Sequence, residues 1–350
     1  MNPHTHDTGT RRRRTARPRS RWAAGAVALT SLAALTTACD SSGGAQNATG
    51  GSGLKIIYVR NVPQPTPFDA PIVKGYQDAG RNLGANVIFQ GAPGNTKAGD
   101  PAQGKRLVQN AVAAKPSCLI VTFDTPSAQG PEVRKAQAAG IPVVFANAGY
   151  QEAEKYGALT YIGSDETLQG RSGAQELARL GVKHPLMVSL APGSLPLTDQ
   201  RNAGFESGFS GRTTWLYLSL KEAGGTTASI AGTIQAKLAR DPSIDAVFTA
   251  GVVFAPAALA AHTATGSRAS ELTWATIDTN EQILGAVKAG KLAFALDQQQ
   301  YLQGYWAALV CDQYVRYGLK PVDPVMATGP VTVTRRNIAD YLKAASEGIH

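Results

Sequence analysis

The sequence predicts an α/β fold of two similar lobes, each a parallel sheet flanked by helices. Unbroken apolar segments alternate with amphipathic helical segments, and this pattern is typical of parallel strands that are covered on both faces. The alternation begins at Leu54 and begins again after residue 160, which indicates two units with a cleft between them. Polar side chains follow the strands, and ligands of such sheets bind outside the carboxyl ends of the strands.

The strand segments are short and apolar, whereas the helical segments carry their apolar residues on one face. In the first half, strands are predicted at Leu54–Val59, Asn86–Gln90, Cys118–Phe123 and Pro142–Ala146, and helices at Phe68–Leu83, Pro101–Ala114 and Pro131–Ala139. In the second half, strands are predicted at Leu186–Leu190, Ala246–Ala250, Thr273–Ile277 and Leu292–Leu296, and helices around residues 166–180, 199–210, 228–239, 255–265 and 280–289.

The amino terminus has the order of an export signal. Seven arginines lie between Arg11 and Arg21, and an apolar segment of sixteen residues, Ala23–Ala38, follows them. This segment is too short for a membrane span but suits the apolar core of a signal peptide. Removing these arginines and Asp7 from the net charge of +9 leaves +3 for the rest of the chain. The sequence therefore gives no reason to expect a nucleic-acid partner.

The segment Leu-Thr-Thr-Ala-Cys at residues 35–39 resembles the lipobox of bacterial lipoproteins, although Thr36 stands where leucine is usual. The resemblance implies that residues 1–38 are a lipoprotein signal peptide and that a lipid on Cys39 anchors the protein at the extracytoplasmic face of the bacterial cell membrane. An ordinary cleaved signal, in which Cys39 has no role, is the alternative. Because residues 40–53 contain no large apolar side chain, residues 39–53 are predicted to be the lipidated cysteine and a flexible tether.

The two remaining cysteines lie in apolar surroundings. Cys118 belongs to an apolar strand and Cys311 to an apolar helical face. A buried cysteine behaves as a small apolar residue and needs no partner. Buried thiols are therefore predicted rather than a disulfide, although an extracytoplasmic location would permit one.

Motifs of the common enzyme classes are absent from the sequence. No Gly-x-Gly-x-x-Gly follows a strand, no Gly-Lys-Ser/Thr loop could hold a phosphate, and neither His-Glu-x-x-His nor Gly-x-Ser-x-Gly occurs. No histidine neighbours a candidate nucleophile. Carboxylates alone could serve a glycosidase, but parallel-sheet lobes argue against that activity. We therefore expect a protein that is not an enzyme and that uses neither a metal nor a cofactor.

The polar residues at the strand ends form the candidate site. They include an arginine, carboxylates and carboxamides, which can bind several hydroxyls at once because carboxamides both donate and accept. Helix capping is the alternative role of each residue. The candidate ligand-binding residues are Phe68, Asp69, Asp124, Asn147, Arg201, Asp278 and Gln298. Packing in the core or at a hinge is expected for Phe123, Tyr301, Tyr305 and Trp306.

Motifs in residues 54–345 resemble the periplasmic sugar-binding proteins of the ribose-binding class. In chain order, these motifs are Pro67–Gly75, Ala138–Asn147, Tyr161–Gly170, Arg201–Phe205, Asp241–Phe248, Ile277–Asp278 and Asp297–Gln298. The resemblance implies a type I periplasmic binding protein, in which two Rossmann-like lobes are joined by a three-stranded hinge. The implied N-terminal lobe comprises residues 54–163 and 298–326, and the implied C-terminal lobe comprises residues 164–297 and 327–350.

The resemblance also implies roles for the candidate residues. Phe68 would stack on a sugar ring, and Gln298 would lie at the hinge. Arg201 and Asp278 would bind ring or hydroxyl oxygens from the second lobe.

Several positions depart from the family pattern. Asn147 stands where the family usually has an aspartate, often followed by an arginine, whereas Ala148 follows here. Gly251 replaces a common asparagine, and Asp69 replaces a second stacking aromatic residue. These departures argue against ribose and leave a neutral monosaccharide or polyol as the expected ligand.

The implied function is that of a monomeric lipoprotein that captures a sugar or polyol as its lobes close and delivers it to the permease of an ABC importer. A ligand sensor that feeds a membrane receptor or kinase has the same fold and is the alternative. A sugar-responsive repressor also shares the two-lobed core. It would need a DNA-binding helix-turn-helix where this chain has its signal and tether.

Overall fold

The computed structural model describes residues 53–62, 66, 68–94 and 99–350. The predicted signal peptide, Cys39 and nearly all of the predicted tether lie outside the described residues. In the part that is described, no helix is both long enough and apolar enough to cross a membrane.

Two sheets of six strands each form the framework of the described chain. In spatial order the first sheet contains β2 (Asn86–Gly91), β1 (Lys55–Arg60), β3 (Cys118–Val121), β4 (Val143–Ala146), β5 (Tyr161–Ser164) and β11 (Val325–Gly329). The second contains β7 (Thr214–Leu218), β6 (Pro185–Leu190), β8 (Ala246–Thr249), β9 (Thr273–Ile277), β10 (Phe294–Asp297) and β12 (Val331–Val333). All neighbouring strands are parallel except β10 and β12, which are antiparallel.

Helices cover both faces of each sheet, which explains why the strands are apolar without alternation. On the first sheet, α1 (Ala70–Leu83) and α10 (Gln300–Tyr317) pack on one face, and α2 (Pro101–Ala113) and α3 (Pro126–Ala138) on the other. On the second sheet, α4 (Glu166–Arg179) and α5 (Pro196–Gly208) face α7 (Thr227–Arg240), α8 (Ala255–Ala264), α9 (Glu281–Lys288) and α11 (Ile338–Ser346) across the strands. Helix α6 (Leu220–Ala223) and the 3-10 helix Gly266–Glu271 are short connections. The predicted fold class is confirmed.

The chain passes between the two sheets at three places. It leaves the first sheet after Ser164, returns after Asp297, and leaves again between Gly329 and Val331. Strand β11 stays in the first sheet up to Gly329, which is three residues beyond the predicted boundary at residue 326. Each passage lies at the end of a strand, so the sheets are connected at one edge by short segments.

Helices α4 and α5 approach each other so closely that only glycine fits at their crossing. A Cβ atom on Gly170 would collide with the backbone carbonyl of Arg201, and a Cβ atom on Gly204 would collide with that of Thr167. The absence of these side chains lets α5 lie directly on α4. This contact fixes the position from which the side chain of Arg201 projects from α5.

Strand β7 and helix α3 are among the elements that differ from the prediction. The edge strand β7 was not predicted, although Thr214–Leu218 is rich in β-branched and aromatic residues. Helix α3 begins at Pro126 and not at Pro131, which lies inside the helix. Both prolines are compatible with a helix start, because proline fixes a helical φ angle and lacks only the amide hydrogen that the first turn does not need.

The prediction of free thiols is wrong, because Cys118 and Cys311 form a disulfide. Cys118 lies in β3 and Cys311 in α10, so the disulfide joins the centre of the first sheet to the helix that covers it. The two cysteines are 193 residues apart in sequence. The disulfide therefore holds the returning segment of the chain onto the first lobe.

We expect the double variant Cys118→Ala/Cys311→Ala to fold with a lower melting temperature. A cross-link that closes so long a loop restricts the unfolded chain and contributes about 2–5 kcal/mol. Thermal unfolding measured with and without a reductant checks this, since the reductant should lower the melting temperature of the wild-type protein but not that of the double variant. Equal melting temperatures of the wild-type protein and the double variant in the absence of a reductant would contradict the prediction.

Candidate ligand-binding site

Arg60 is the central charged group of the first lobe's part of the site. It ends β1, and its Nε pairs with the carboxylate of Asp69. Its Nη1 donates to Oδ1 of Asn147 over 2.7 Å, and its guanidinium carbon lies 5.5 Å from the centre of the Phe68 ring. Arg60 directly follows the predicted strand Leu54–Val59 but was not predicted as a site residue. Its position at a strand's carboxyl end was the available signal.

Asp69 differs from its predicted role. Its side chain is completely buried, and its Oδ2 accepts from the backbone N and the hydroxyl of Thr66 at 2.8 and 2.6 Å. Its other oxygen faces Arg60. With both oxygens engaged, Asp69 orients Arg60 instead of facing a ligand.

Asn147 links the first lobe to the segment after β10. It follows β4 with a φ of +69°, in the left-handed region that asparagine tolerates better than most residues. Its Nδ2 donates to Oε1 of Gln303 over 3.0 Å. Gln303 in turn donates to the backbone carbonyl of Gln298 at 3.2 Å and to the hydroxyl of Thr328 at 3.3 Å. Gln303, which lies one helical turn into α10, was not predicted as a site residue.

Arg201 is the corresponding group of the second lobe. Its Nε donates to Oε2 of Glu166 over 2.5 Å, and its Nη1 donates to the carbonyl of Ala250 over 2.7 Å. The Nη1 also lies 3.9 Å from Oδ2 of Asp278. Glu166 was not predicted as a site residue; it opens α4, so the α4–α5 contact brings it to Arg201. Burial raises the pKa of the Glu166 carboxyl, although Arg201 acts in the opposite direction.

Asp278 lies beside Arg201 and is only 3% exposed. It follows β9 with a φ of +74°, and its Oδ2 accepts from the backbone N of Val252 at 2.9 Å. Its Oδ1 accepts from the side-chain amide of Gln298. A Cβ atom on Gly251 would lie 3.1 Å from Nη1 of Arg201 and 3.2 Å from Oδ2 of Asp278. The lack of a side chain at Gly251 therefore permits the approach of these two groups.

The polar groups form one continuous network that runs from lobe to lobe through Gln298. The side chain of Gln298 contacts Asp278 in the second lobe, while its backbone carbonyl accepts from Gln303, which contacts Asn147 in the first lobe. The two following glutamines point elsewhere: Gln299 donates to the carbonyl of Thr328 at 2.7 Å, and Gln300 to that of Thr279 at 3.5 Å. The structure thus brings Asn147, Arg201, Asp278 and Gln298 into one network.

The aromatic residues of α10 pack where they were expected. The hydroxyl of Tyr301 donates to Oδ2 of Asp78 in α1 over 3.0 Å, and the hydroxyl of Tyr305 accepts from Asn82. Trp306 packs against the core of the first lobe. These rings hold α10 on α1 and do not enter the network.

Asp124 lies on a small cavity next to the network. The cavity is lined by both lobes, through residues that include Phe123 and Asp124 on one side and Glu166 and Pro196 on the other. Oδ1 of Asp124 is buried and has no hydrogen-bond partner among the described residues. Burial raises the pKa of Asp124 to about 6, although the positive charge of Arg60 lowers it.

The free hydrogen-bonding groups of the network can both donate and accept. Across the described ranges no hydrogen bond uses Nη2 of Arg60 or Nη2 of Arg201, so each guanidinium retains donors. Oε1 of Gln298 is a buried acceptor that lacks a partner among the same residues. No group of three or more metal-ligating side chains occurs in the searched part of the chain. Such an arrangement can hold hydroxyls by many hydrogen bonds.

We expect Asp124 to make the protein less stable as the pH rises through about 6. Its folded-state pKa lies above the ordinary value of 3.8, so the protonated carboxyl favours folding, and that contribution is complete below pH 3.8 and is lost as the carboxyl ionises. The Asp124→Asn variant keeps a neutral side chain at every pH. Its free energy of unfolding relative to that of the wild-type protein should therefore rise by about 2–3 kcal/mol between pH 4 and pH 7.5.

Urea unfolding of both proteins at several pH values measures this difference. The variant Glu154→Gln, which changes an exposed acid nearby, is the control and should show no such trend. A stability difference between the wild-type protein and Asp124→Asn that does not vary with pH would contradict the prediction.

Comparisons with known proteins identify the family. The family model of the periplasmic binding protein domain matches residues 57–320. The xylose/arabinose-binding protein XylF of Sulfolobus acidocaldarius is 24% identical over 308 residues, which are 83% of this chain and 73% of that protein. A solved carbohydrate transporter from Acidothermus cellulolyticus, in complex with myo-inositol, is 33% identical and has a TM-score of 0.74; the match covers 85% of this chain and 100% of that one. A periplasmic ribose ABC transporter from Conexibacter woesei is 25% identical, with 86% and 99% covered and a TM-score of 0.72.

The family match covers most of both lobes, including every predicted ligand-binding residue. The family consists of solute-binding proteins and not of enzymes, which confirms the prediction that this chain is not an enzyme. The resemblance inferred from the ordered motifs is confirmed as well. The chain belongs to the periplasmic binding protein family.

Proposed function

We propose that the protein is an extracytoplasmic solute-binding lipoprotein that captures a sugar or polyol between its lobes and delivers it to an ABC importer. The observation that carries the proposal is the network that runs from Arg60 to Arg201 through Gln298. It is built from guanidinium, carboxamide and carboxylate groups, and it retains free donors and acceptors. These are the groups that bind vicinal hydroxyls.

The proposed ligand is a ring that carries several hydroxyls. Myo-inositol is bound by the Acidothermus cellulolyticus protein, which is 33% identical to this chain, so we take this cyclic polyol as the first candidate. Xylose and arabinose are the next candidates, because the name of the archaeal protein refers to them. Phe68, over whose ring the guanidinium of Arg60 lies, would pack against the C–H face of the ligand ring.

The proposed mechanism is closure of the lobes around the ligand. The lobes correspond to residues 54–163 with 298–326 and to residues 164–297 with 327–350, adjusted for the passage of β11 at Gly329. The protein would sample open and closed forms, and a ligand that contacts Arg60 in one lobe and Arg201 in the other would favour the closed form. Ligand hydroxyls would then bond to Nη2 of each arginine and to Oε1 of Gln298.

We expect myo-inositol or a related polyol to raise the melting temperature of the purified protein. At a hundredfold excess over the dissociation constant, a ligand stabilises the folded state by about 2.7 kcal/mol. In calorimetry with the same ligand, Arg201→Ala and Asp278→Ala should each weaken binding by about 1.5–3 kcal/mol, since each removes a charged hydrogen-bonding group.

The control for the binding experiment is Arg212→Ala. Arg212 is an exposed arginine of the same lobe that pairs with Asp241 at the surface, so its removal should leave the affinity unchanged. Circular dichroism must show that the two site variants are folded. Unchanged affinity in both folded site variants would remove the site assignment, and the absence of binding by any sugar or polyol would remove the proposed function.

Membrane anchoring is part of the proposal and depends on Cys39. The sequence before Cys39 has the order of a lipoprotein signal, and an anchored protein would stay close to its permease. We expect the wild-type protein to fractionate with membranes and Cys39→Ala to be released from them, as judged by immunoblotting of cell fractions. Identical fractionation of the two proteins would contradict the lipid anchor without affecting the ligand assignment.

A further inference from the structure

The cavity beside the network is too small for the ring of a sugar. Its volume is about 40 Å³, which is room for roughly three water molecules at about 10–15 Å³ each. It is bordered by Asp124 and Tyr150 on the side of the first lobe and by Glu166 and Pro196 on the side of the second. Glu166 also belongs to the network through Arg201. A single substituent of a ring that lies in the network could therefore occupy it.

The wall of this cavity carries negative charge and no positive charge. Asp124, Glu152 and Glu166 line it, whereas none of its lining residues is a lysine, arginine or histidine. Oδ1 of Asp124 is buried without a hydrogen-bond partner in the described chain. Glu166 accepts from Arg201 through Oε2 only, and none of the described hydrogen bonds reaches its Oε1. Two carboxylate oxygens from opposite lobes are thus left to accept.

The arginines of the network are paired with groups other than Asp124. Arg60 already pairs with Asp69 through Nε and donates to Asn147 through Nη1. Arg201 already pairs with Glu166 and lies near Asp278. The pKa of Asp124 stays raised, at about 6, despite the neighbouring Arg60. An ionised Asp124 is therefore incompletely neutralised by the protein itself.

The chemistry of the wall favours an organic cation over a metal ion. In the searched residues no three carboxylates or other metal-ligating groups lie close enough together to hold a metal. Part of the wall consists of the aromatic rings of Phe123, Tyr150 and Tyr161, and aromatic rings attract ammonium groups. A protonated primary amine donates three hydrogen bonds from one atom, so it can serve two carboxylates at once.

We propose that this cavity is an ammonium subsite and that the ligand of this protein is an amine-bearing polyol, either an aminocyclitol or an amino sugar. This inference rests on the proposed function, because the ring and its hydroxyls occupy the network. The ammonium group lies between Asp124 and Glu166 and supplies the positive charge that the wall lacks. An anionic analogue, such as a polyol phosphate or a uronate, is excluded because it would place a negative charge against these carboxylates.

The experiment is calorimetry with two sets of ligands in which each member differs from its neutral parent at one substituent. The first set is myo-inositol, an inosamine in which an amine replaces one hydroxyl, and inositol monophosphate; the second is glucose, glucosamine and glucuronate. At pH 7.5 we expect the amine of at least one set to bind about tenfold or more tightly than its neutral parent, as for a hydrogen bond between charged groups. The anionic member should bind about tenfold more weakly than the parent or not at all.

Variants locate the effect. Asp124→Asn and Glu152→Gln should each reduce the ratio of the affinity for the amine to the affinity for its neutral parent. The reduction should be about tenfold for Asp124→Asn, because Asp124 faces the amine directly. Glu154→Gln is the matched control, since Glu154 is an exposed acid that does not line the cavity, and it should leave the ratio unchanged. Reading the ratio and not the affinity separates the subsite from any effect on the ring.

Each outcome decides the inference. Tighter binding of an amine that depends on Asp124 supports it. Neutral polyols that bind as tightly as their amines overturn it and leave the proposed function intact, as does an amine preference that Asp124→Asn does not change. If no polyol binds, whether neutral or aminated, the proposed function and this inference fall together.

Discussion

The structure depends on pairing two buried arginines at the cleft. A buried charge is unfavourable unless an opposite charge and hydrogen bonds compensate it, so Arg60 and Arg201 restrict which elements may surround them. Each lobe meets this requirement with elements that are distant in sequence. Arg60 ends β1 and finds Asp69 at the start of α1 and Asn147 after β4, whereas Arg201 in α5 finds Glu166 at the start of α4 and Asp278 after β9. The same pairing brings the ends of these strands together and leaves Nη2 of each guanidinium free of hydrogen bonds within the described chain.

Gln298, which lies where the chain passes between the two sheets, belongs to this network, and in the proposed closure it would couple ligand contact to the position of the lobes. Gln298 directly follows β10, at the point where the chain returns to the first lobe. Its side chain and its backbone contact opposite halves of the site. A hydroxyl that bonds to Oε1 of Gln298 would therefore bias the segment about which the lobes turn. Such a bias is what a ligand needs in order to shift the balance between open and closed forms, since only differential interaction with the two forms can do so.

The positions of most central strands, and the polar residues that follow them, could be predicted from the sequence, because a run of apolar residues and a polar residue after it are local signals. The contacts that depend on packing between distant segments could not. Cys118 and Cys311 meet only because α10 lies on β3, 193 residues later. The start of α10 determines which of the consecutive glutamines points into the cleft. Gln299 has a φ of +49°, and this left-handed backbone turns the side chains on either side of it in different directions. Asp69 looks like a ligand contact until Arg60 is placed against it.

This chain has Ala148 where the resemblance to the family implies an arginine, and Arg60 of another strand contacts the side chain of Asn147 instead. Ala148 carries no charge, but Nη1 of Arg60 lies 2.7 Å from Oδ1 of Asn147, so an arginine still contacts the side chain that follows β4. The exchange has a consequence for charge. With an amide at Asn147, the acid that Arg60 uses is Asp69, which is buried beneath it and cannot face a ligand. The acids that remain at the cleft are Asp278, already engaged by Val252 and Gln298, and the pair Asp124 and Glu166 on the cavity. In the proposed complex, the carboxylates Asp124 and Glu166 would therefore lie at the cavity and not beside the ring.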